Sequence, residues 1–351
     1  MQNIKDFHEK TATSSAKLNN KILIVFLQKN FPLASVILLT YQQEDFVAEA
    51  LNSLLAQTYT PLEIIIADDL SKDNTRNIIQ KILTQYCGPH KIKLVFNQKN
   101  LGLCGNINQA LSHCEGEFIF AAAGDDVSLP NRCKAVIEKW LALEKKPDLI
   151  ATDAYDMAIN GEILGIKRTS ALESYVDLDA WMKKQPYFFG SSHSWSRRLI
   201  NQFPPLNPKL AAEDHVMVFR SILGNGAHTI PEALVKHRRG GVTLRKYLNL
   251  YEKKRKLEVG FRNKLTYLLQ LLNDAKNHPG YRDLEIYLSK DISSTQFSIK
   301  LFDSDNFLLK IKYCIEEKNT PLNLKLRVLT YTSFPWILQP IFWAKKYIKR
   351  Y

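Results

Sequence analysis

Two adjacent carboxylates, Asp125 and Asp126, close the short apolar run Phe118-Ile119-Phe120-Ala121-Ala122-Ala123-Gly124, and Pro130 follows. Small and apolar residues in this pattern read as a buried strand, and a proline just beyond can open a helix. In open α/β sheets ligands collect outside the carboxyl ends of the strands. Carboxylate oxygens at that point suit a divalent cation that bridges phosphates. The pair therefore offers a metal-dependent site for a nucleotide diphosphate. The structural alternative is that Asp125 caps the following helix and Asp126 is a solvated loop residue.

Elements able to carry such a site surround it. Ser35-Val36-Ile37-Leu38-Leu39-Thr40 and Leu62-Glu63-Ile64-Ile65-Ile66-Ala67 are near-continuous apolar runs, the signature of strands covered on both faces. The second ends in another acidic pair, Asp68-Asp69. Helical spacing is expected over 44–57, from the turn and cap residues 71–74 to about 86, and over 106–114, 132–145 and 211–223, with further strands over 93–96, 149–153 and 228–236. Strand and helix alternate through short links, which predicts a doubly wound, mostly parallel sheet. Asn160-Gly161 marks a hairpin. Periodicity fades over 165–200, where aromatic, Ser and Gly residues suit loops at a cleft; Trp195, Tyr187, Phe188 and Phe189 are read as core.

The chain of 351 residues has a formal charge of +13, unevenly placed. Up to Thr243 there are 27 Lys and Arg against 25 Asp and Glu, a net of +2; from Leu244 the count is 21 against 10, a net of +11. Such a basic, helix-patterned region attracts a polyanion such as an anionic membrane surface or nucleic acid. Residues 334–351 mix Trp, Phe and Ile with Lys and Arg, which favours the membrane surface. Binding of nucleic acid by a non-enzymatic basic protein is disfavoured by the near-neutral first 243 residues. No apolar segment approaches the roughly 20 residues of a transmembrane helix. Five cysteines without paired spacing read as reduced thiols of a cytosolic protein. The expected organisation is an N-terminal extension (1–33), an α/β domain (34–243) and a mainly helical basic region (244–351).

Leu39-Thr40-Tyr41-Gln42-Gln43, Ala56-Gln57-Thr58-Tyr59, Ile66-Ala67-Asp68-Asp69-Leu70-Ser71-Lys72-Asp73, Asn100-Leu101-Gly102, Ala123-Gly124-Asp125-Asp126-Val127-Ser128-Leu129-Pro130 and Glu213-Asp214 occur in that order. Together they resemble the family-two inverting glycosyltransferases of GT-A fold over residues 34–243. The resemblance implies a Rossmann-like, mostly parallel sheet flanked by helices. It also implies transfer of a sugar from a nucleotide diphosphate donor, usually UDP-linked, with Mn2+ or Mg2+, to a hydroxyl of a glycan or lipid-linked acceptor in surface polysaccharide synthesis. The enzyme would then work at the cytoplasmic face of the cell membrane. A nucleotidyltransferase of the same architecture would want a Gly-rich basic loop after the first strand, and Thr40-Tyr41-Gln42-Gln43-Glu44-Asp45 is not one.

Carried over residue by residue, the resemblance places Thr40, Tyr41 and Asn100 against the nucleotide and lets Asp69 accept from the uracil edge. Asp125 serves ribose and metal, Asp126 the metal, and Asp214 is the base that takes the acceptor's proton. Many members carry a carboxylate where Ala123 stands here. His237 and Arg239 could close over the phosphates as charge builds on the leaving group. Asp69 and Asp214 also read as helix-terminal acids.

Overall fold

The computed structural model describes residues 31–240 and 250–340; the leader over 1–30 and the last residues of the aromatic tail, 341–351, lie outside them. The first half alternates strand and helix: β1 (Ala34–Thr40), α1 (Val47–Leu55), β2 (Leu62–Asp68), α2 (Thr75–Leu83), β3 (Lys91–Phe96), α3 (Gly102–Leu111), β4 (Phe118–Ala123). A two-residue β5 (Val127–Ser128), α4 (Arg132–Ala142), β6 (Leu149–Met157) and β7 (Ile163–Lys167) follow. Then come α5 (Leu178–Lys183), β8 (Ser194–Ser196), α6 (Arg197–Gln202), α7 (Glu213–Leu223) and β9 (Ala227–Arg238). Four helices complete the described chain: α8 (Leu250–Ala275), α9 (Tyr281–Asp303), α10 (Phe307–Glu316) and α11 (Leu322–Ser333).

The strands form one sheet in the order β3-β2-β1-β4-β8-β6-β9-β5, with β7 paired to β6. β3, β2, β1 and β4 run parallel, as does the β6–β9 pair, while β8 lies antiparallel between β4 and β6. The apolar runs in β1, β2 and β4 are explained by burial on both faces. Val36, Leu38, Ile64, Ile66, Phe118 and Phe120 pack beneath α1 and α4. The alternate residues Ile37, Ile65, Ile119 and Ala121 pack beneath α3, α7 and α8. Each such fully buried side chain contributes about 1.5–3 kcal/mol, which makes these three strands a stiff platform for whatever their ends carry.

The basic region shares that core. Leu268, Leu271 and Ala275 of α8 join the second cluster. Arg220 of α7 also pairs with Asp274 through Nε–Oδ2 at 2.7 Å and Nη2–Oδ1 at 3.1 Å, with both side chains buried. Helices α9 and α11 build a small core from Phe297, Leu301 and Val328. Leu308, Ile315 and Leu322 of α10 and α11 stay exposed. Among the described residues no helix is long and apolar enough to cross a membrane, and all five cysteines are free thiols.

Most boundaries move by a few residues from the sequence pattern, and two differences have clear causes. Helix α3 starts at Gly102 rather than 106, because a distant carboxylate caps it. The stretch 165–200 contains β7, α5, β8 and α6, none long enough to set up a period. Trp195, Phe188 and Phe189 are buried as expected, whereas Tyr187 is exposed.

Candidate active site

Strands β1, β2 and β4 end side by side, so Thr40, the Asp68-Asp69 pair and the Asp125-Asp126 pair emerge along one edge of the platform. The two acids of each pair then part company. Asp68 is fully buried and saturated: Oδ1 accepts from the Ser71 amide at 3.0 Å, Oδ2 accepts from the Thr40 hydroxyl at 3.1 Å, and the Arg76 guanidinium pairs with it. It organises the end of β2, and it holds the Thr40 side chain in place. Asp69 turns to the cleft. Its Oδ1 accepts from the Leu101 amide at 2.7 Å and from Asn97 Nδ2 at 3.0 Å, and its Oδ2 accepts from the Gly102 amide at 2.9 Å. These are free amides at the start of α3, so Asp69 caps that helix across a gap of more than thirty residues. Asn100 Nδ2 donates to the Asp69 carbonyl at 3.1 Å, which fastens the same loop.

Gly124 lets the acidic loop after β4 lie against β1. A Cβ there would fall 2.2 Å from Gln43 Oε1 and 2.9 Å from Thr40 Cγ2, closer than any side chain tolerates. The helix beyond is entered through Asn131 without a side-chain cap, so Asp125 does not cap it. Burial and the charge of Asp126 push the Asp125 carboxyl up to about 6. Asp126 is buried, with Oδ1 accepting from the Arg238 amide at 2.8 Å. Arg238 itself is spent on structure, donating to the Asp125 carbonyl at 2.9 Å, to the Ile159 carbonyl at 3.0 Å and to Glu49.

Asp214 and Glu213 stand in the first turn of α7. Asp214 Oδ1 accepts from the His215 amide at 2.8 Å. The backbone at Gly190 presses on this acid: a Cβ on Gly190 would meet Asp214 Cβ at 3.2 Å and Oδ2 at 3.3 Å. Burial, and then the Asp214 charge, raise the Glu213 carboxyl. His193 is wholly enclosed behind this wall, and burial pulls it down to about 4, so it is neutral there.

These pieces enclose one cavity of about 490 Å³, lined among others by Thr40, Tyr41, Asp69, Asn100, Glu213 and Asp214. Asp126 lies in an adjoining recess that shares Ala122, Ala123 and Ser191 with the cavity wall. Asp69, Glu213 and Asp214 thus line a single cleft at the carboxyl end of the sheet, while Asp126 lies in the recess behind the shared wall and Asp125 lines neither space. His237 and Arg239 are not among the lining residues. His237 sits near enough to Asp125 to be felt by its carboxyl, and Arg239 is paired with Asp156 through Nε at 2.8 Å.

Sequence reasoning missed Arg132. It is buried yet bonded to no carboxylate, donating to Ser128 Oγ at 3.0 Å and to the carbonyls of Ala121 at 2.9 Å, Ser191 at 2.7 Å and His193 at 3.3 Å. It therefore ties the Gly190–His193 segment to the end of β4. A cation in the first turn of a helix opposes the helix dipole, and that local conflict was the available signal.

Among the described residues there is no group of three or more His, Cys, Asp or Glu that could hold a metal by itself. The Asp125-Asp126 pair still fits a cation that arrives with phosphates. A small divalent ion in such sites takes one or two carboxylates and fills its remaining positions with phosphate oxygens and water, and Asp125 is destabilised by the neighbouring negative charge that such an ion would offset.

The sheet order, with acids gathered at the strand ends beneath flanking helices, is the mostly parallel α/β architecture that the sequence pattern predicts. Residues 35–202 match the model of Glycosyl transferase family 2. EpsE of Bacillus subtilis (strain 168), described as a glycosyltransferase, is 32% identical over 160 residues, covering 46% of this chain and 55% of EpsE. An uncharacterized glycosyltransferase of Haemophilus influenzae is 31% identical over 127 residues, 36% of this chain and 38% of the relative. The matched stretch is thus about half or less of these relatives' own length. An uncharacterized glycosyltransferase of Rickettsia typhi is 25% identical over 291 residues, 78% of this chain and 85% of that protein. Among solved structures, S. aureus TarS 1-349 is 18% identical with a TM-score of 0.47, covering 91% of this chain and 92% of that one. The family match begins at β1 and takes in just under half of the chain.

Proposed function

We propose that the protein is an inverting, cation-assisted glycosyltransferase that moves a sugar from UDP, or from another nucleoside diphosphate, to an acceptor hydroxyl. The observation that carries this reading is the convergence of Asp69 and Asp214 on one cleft, with Asp126 in the recess that shares its wall. Thr40, Tyr41 and Asn100 line the end where the nucleotide would lie. Asp69 keeps part of Oδ2 uncommitted and offers it to a base N–H, while its other bonds hold the loop in place. Asp125 and Asp126 would hold the cation, which when bound supplies charge neutralisation at the departing phosphate.

Inversion needs attack on the anomeric carbon from the side opposite the leaving group, with a carboxylate taking the acceptor's proton. Asp214 is set on a rigid helix start and lines the same cavity as Asp69. Glu213, kept more easily protonated by burial and by Asp214, leaves the adjacent carboxylate to act. The acceptor in this reading is a glycan or lipid-linked hydroxyl in surface polysaccharide synthesis. The exposed Leu308, Ile315 and Leu322 among the lysines of the basic helices support a seat on an anionic membrane surface; co-sedimentation with anionic vesicles, absent with neutral ones, tests that seat.

A thermal-shift panel of nucleotides with and without Mn2+, repeated on Asp126→Ala, tests the donor. UDP is expected to stabilise the parent with the metal and to lose that effect in the variant. A preference for GDP, or no response to any nucleotide, would overturn the assignment.

A further inference from the structure

We propose that Lys167, on the β7 hairpin strand, is the cation that meets the departing diphosphate, held for it by Asp156 and His237; this rests on the donor reading above. The three residues come from three neighbouring strands. Asp156 of β6 lies directly opposite His237 of β9, and Lys167 of β7 pairs with Ala154, two residues along β6 on the same face. A long side chain reaches such a diagonal neighbour. Lys167 Nζ accordingly stands 2.9 Å from Asp156 Oδ1 and 3.2 Å from His237 Nδ1, and 5.7 Å from the ring centre of Phe189.

Charge counting separates Lys167 from the other cations nearby. Arg238 is exhausted by two carbonyls and Glu49, and Arg132 is fully buried with its two Nη atoms donating to three carbonyls and a hydroxyl, only its Nε lacking a partner. Arg239 is paired with Asp156 and reaches into solvent, its side chain 59% exposed against 21% for Lys167. Asp156 is thus one carboxylate facing two cations, which hold it down to about 2. The trio carries one positive charge in excess, beside an acid pair whose cation and diphosphate would bring net negative charge.

Position agrees with that charge. His237 directly precedes Arg238, whose amide donates to Asp126 Oδ1 at 2.8 Å, and Phe189 precedes Gly190, which lies against Asp214. Lys167 therefore sits against the two segments, around His237 and Phe189, that lead to the acid pair and to the base, though it lines neither the cleft nor the recess itself. An ammonium can only donate, so His237 accepts at Nδ1 and carries its proton on Nε2, a second donor fixed in place. In the transfer, the anomeric carbon–oxygen bond breaks and its electron pair stays on the diphosphate. The acceptor oxygen bonds to that carbon and its proton passes to Asp214. Lys167 takes no part in the proton transfer, and its N–H bonds tighten as the leaving oxygens gain charge.

Calorimetric titration with UDP and with uridine, both with Mn2+, on the parent, Lys167→Met and Lys167→Arg tests this. Lys167→Met should bind UDP about 10-fold more weakly and turn over on the order of 100-fold more slowly. Uridine affinity should stay unchanged, and Lys167→Arg should recover most of the UDP affinity. UDP binding to Lys167→Met as tight as to the parent, or an equal loss for uridine and UDP, would overturn the assignment of Lys167 alone. A parent that binds no nucleotide overturns the donor reading and this one together.

Discussion

Replacing Asp125 by asparagine should make the nucleotide-free protein more stable at mildly alkaline pH while removing a cation ligand. Burial and Asp126 raise this carboxyl from 3.8 to about 6. At about 1.4 kcal/mol per pH unit, keeping it ionised in the fold costs on the order of 3 kcal/mol. Because the folded value lies above the unfolded one, the favourable contribution is complete below 3.8 and is lost as pH rises through about 6. The parent therefore bears the whole cost near pH 8, and asparagine bears none. For a domain of this size the gain corresponds to a melting temperature higher by roughly 6–12 °C, an upper bound because the loop can relax. Calorimetry near pH 8 and near pH 4 measures it: the gap should be large at the first and mostly gone at the second. Adding UDP and Mn2+ should then narrow the gap at the higher pH by stabilising the parent alone. Equal melting at both pH values would refute the picture of an acid pair held short of positive charge.

Asp69→Asn should melt earlier, because an amide nitrogen would face the Leu101 or Gly102 N–H; the loss is about 1–3 kcal/mol, read by denaturant titration. Gly190→Ala should push the Asp214 carboxylate out of line, since the new Cβ would sit 3.3 Å from Oδ2. Steady-state kinetics should show turnover down roughly 10-fold or more with UDP affinity unchanged, and unaltered turnover would show that the base tolerates displacement.

The central strands were legible because burial on both faces leaves them almost wholly apolar, as the patterns of β1, β2 and β4 show. β8 was not legible. Ser194-Trp195-Ser196 holds only three pairings with β4 and two with β6, and its place between them is set by tertiary contacts. In the cleft, the positions of the acids could be read, but their commitments could not. Asp69 is bound to residues 32 and 33 positions on, Arg132 to a carbonyl 59 positions on, and Asp126 to an amide 112 positions on. Lys167 escaped notice for the same reason: a lone lysine in a hairpin acquires meaning only when β6 and β9 place Asp156 and His237 beside it.

The most direct measurement is made on Asp214→Asn: UDP affinity by calorimetry with Mn2+, alongside release of UDP from a donor sugar in the presence of acceptor. The account predicts an unchanged affinity and a release rate lower by about 100-fold or more, since general-base catalysis is worth about 10²–10⁴. Release at the parent's rate, or loss of UDP binding in step with loss of turnover, would contradict it.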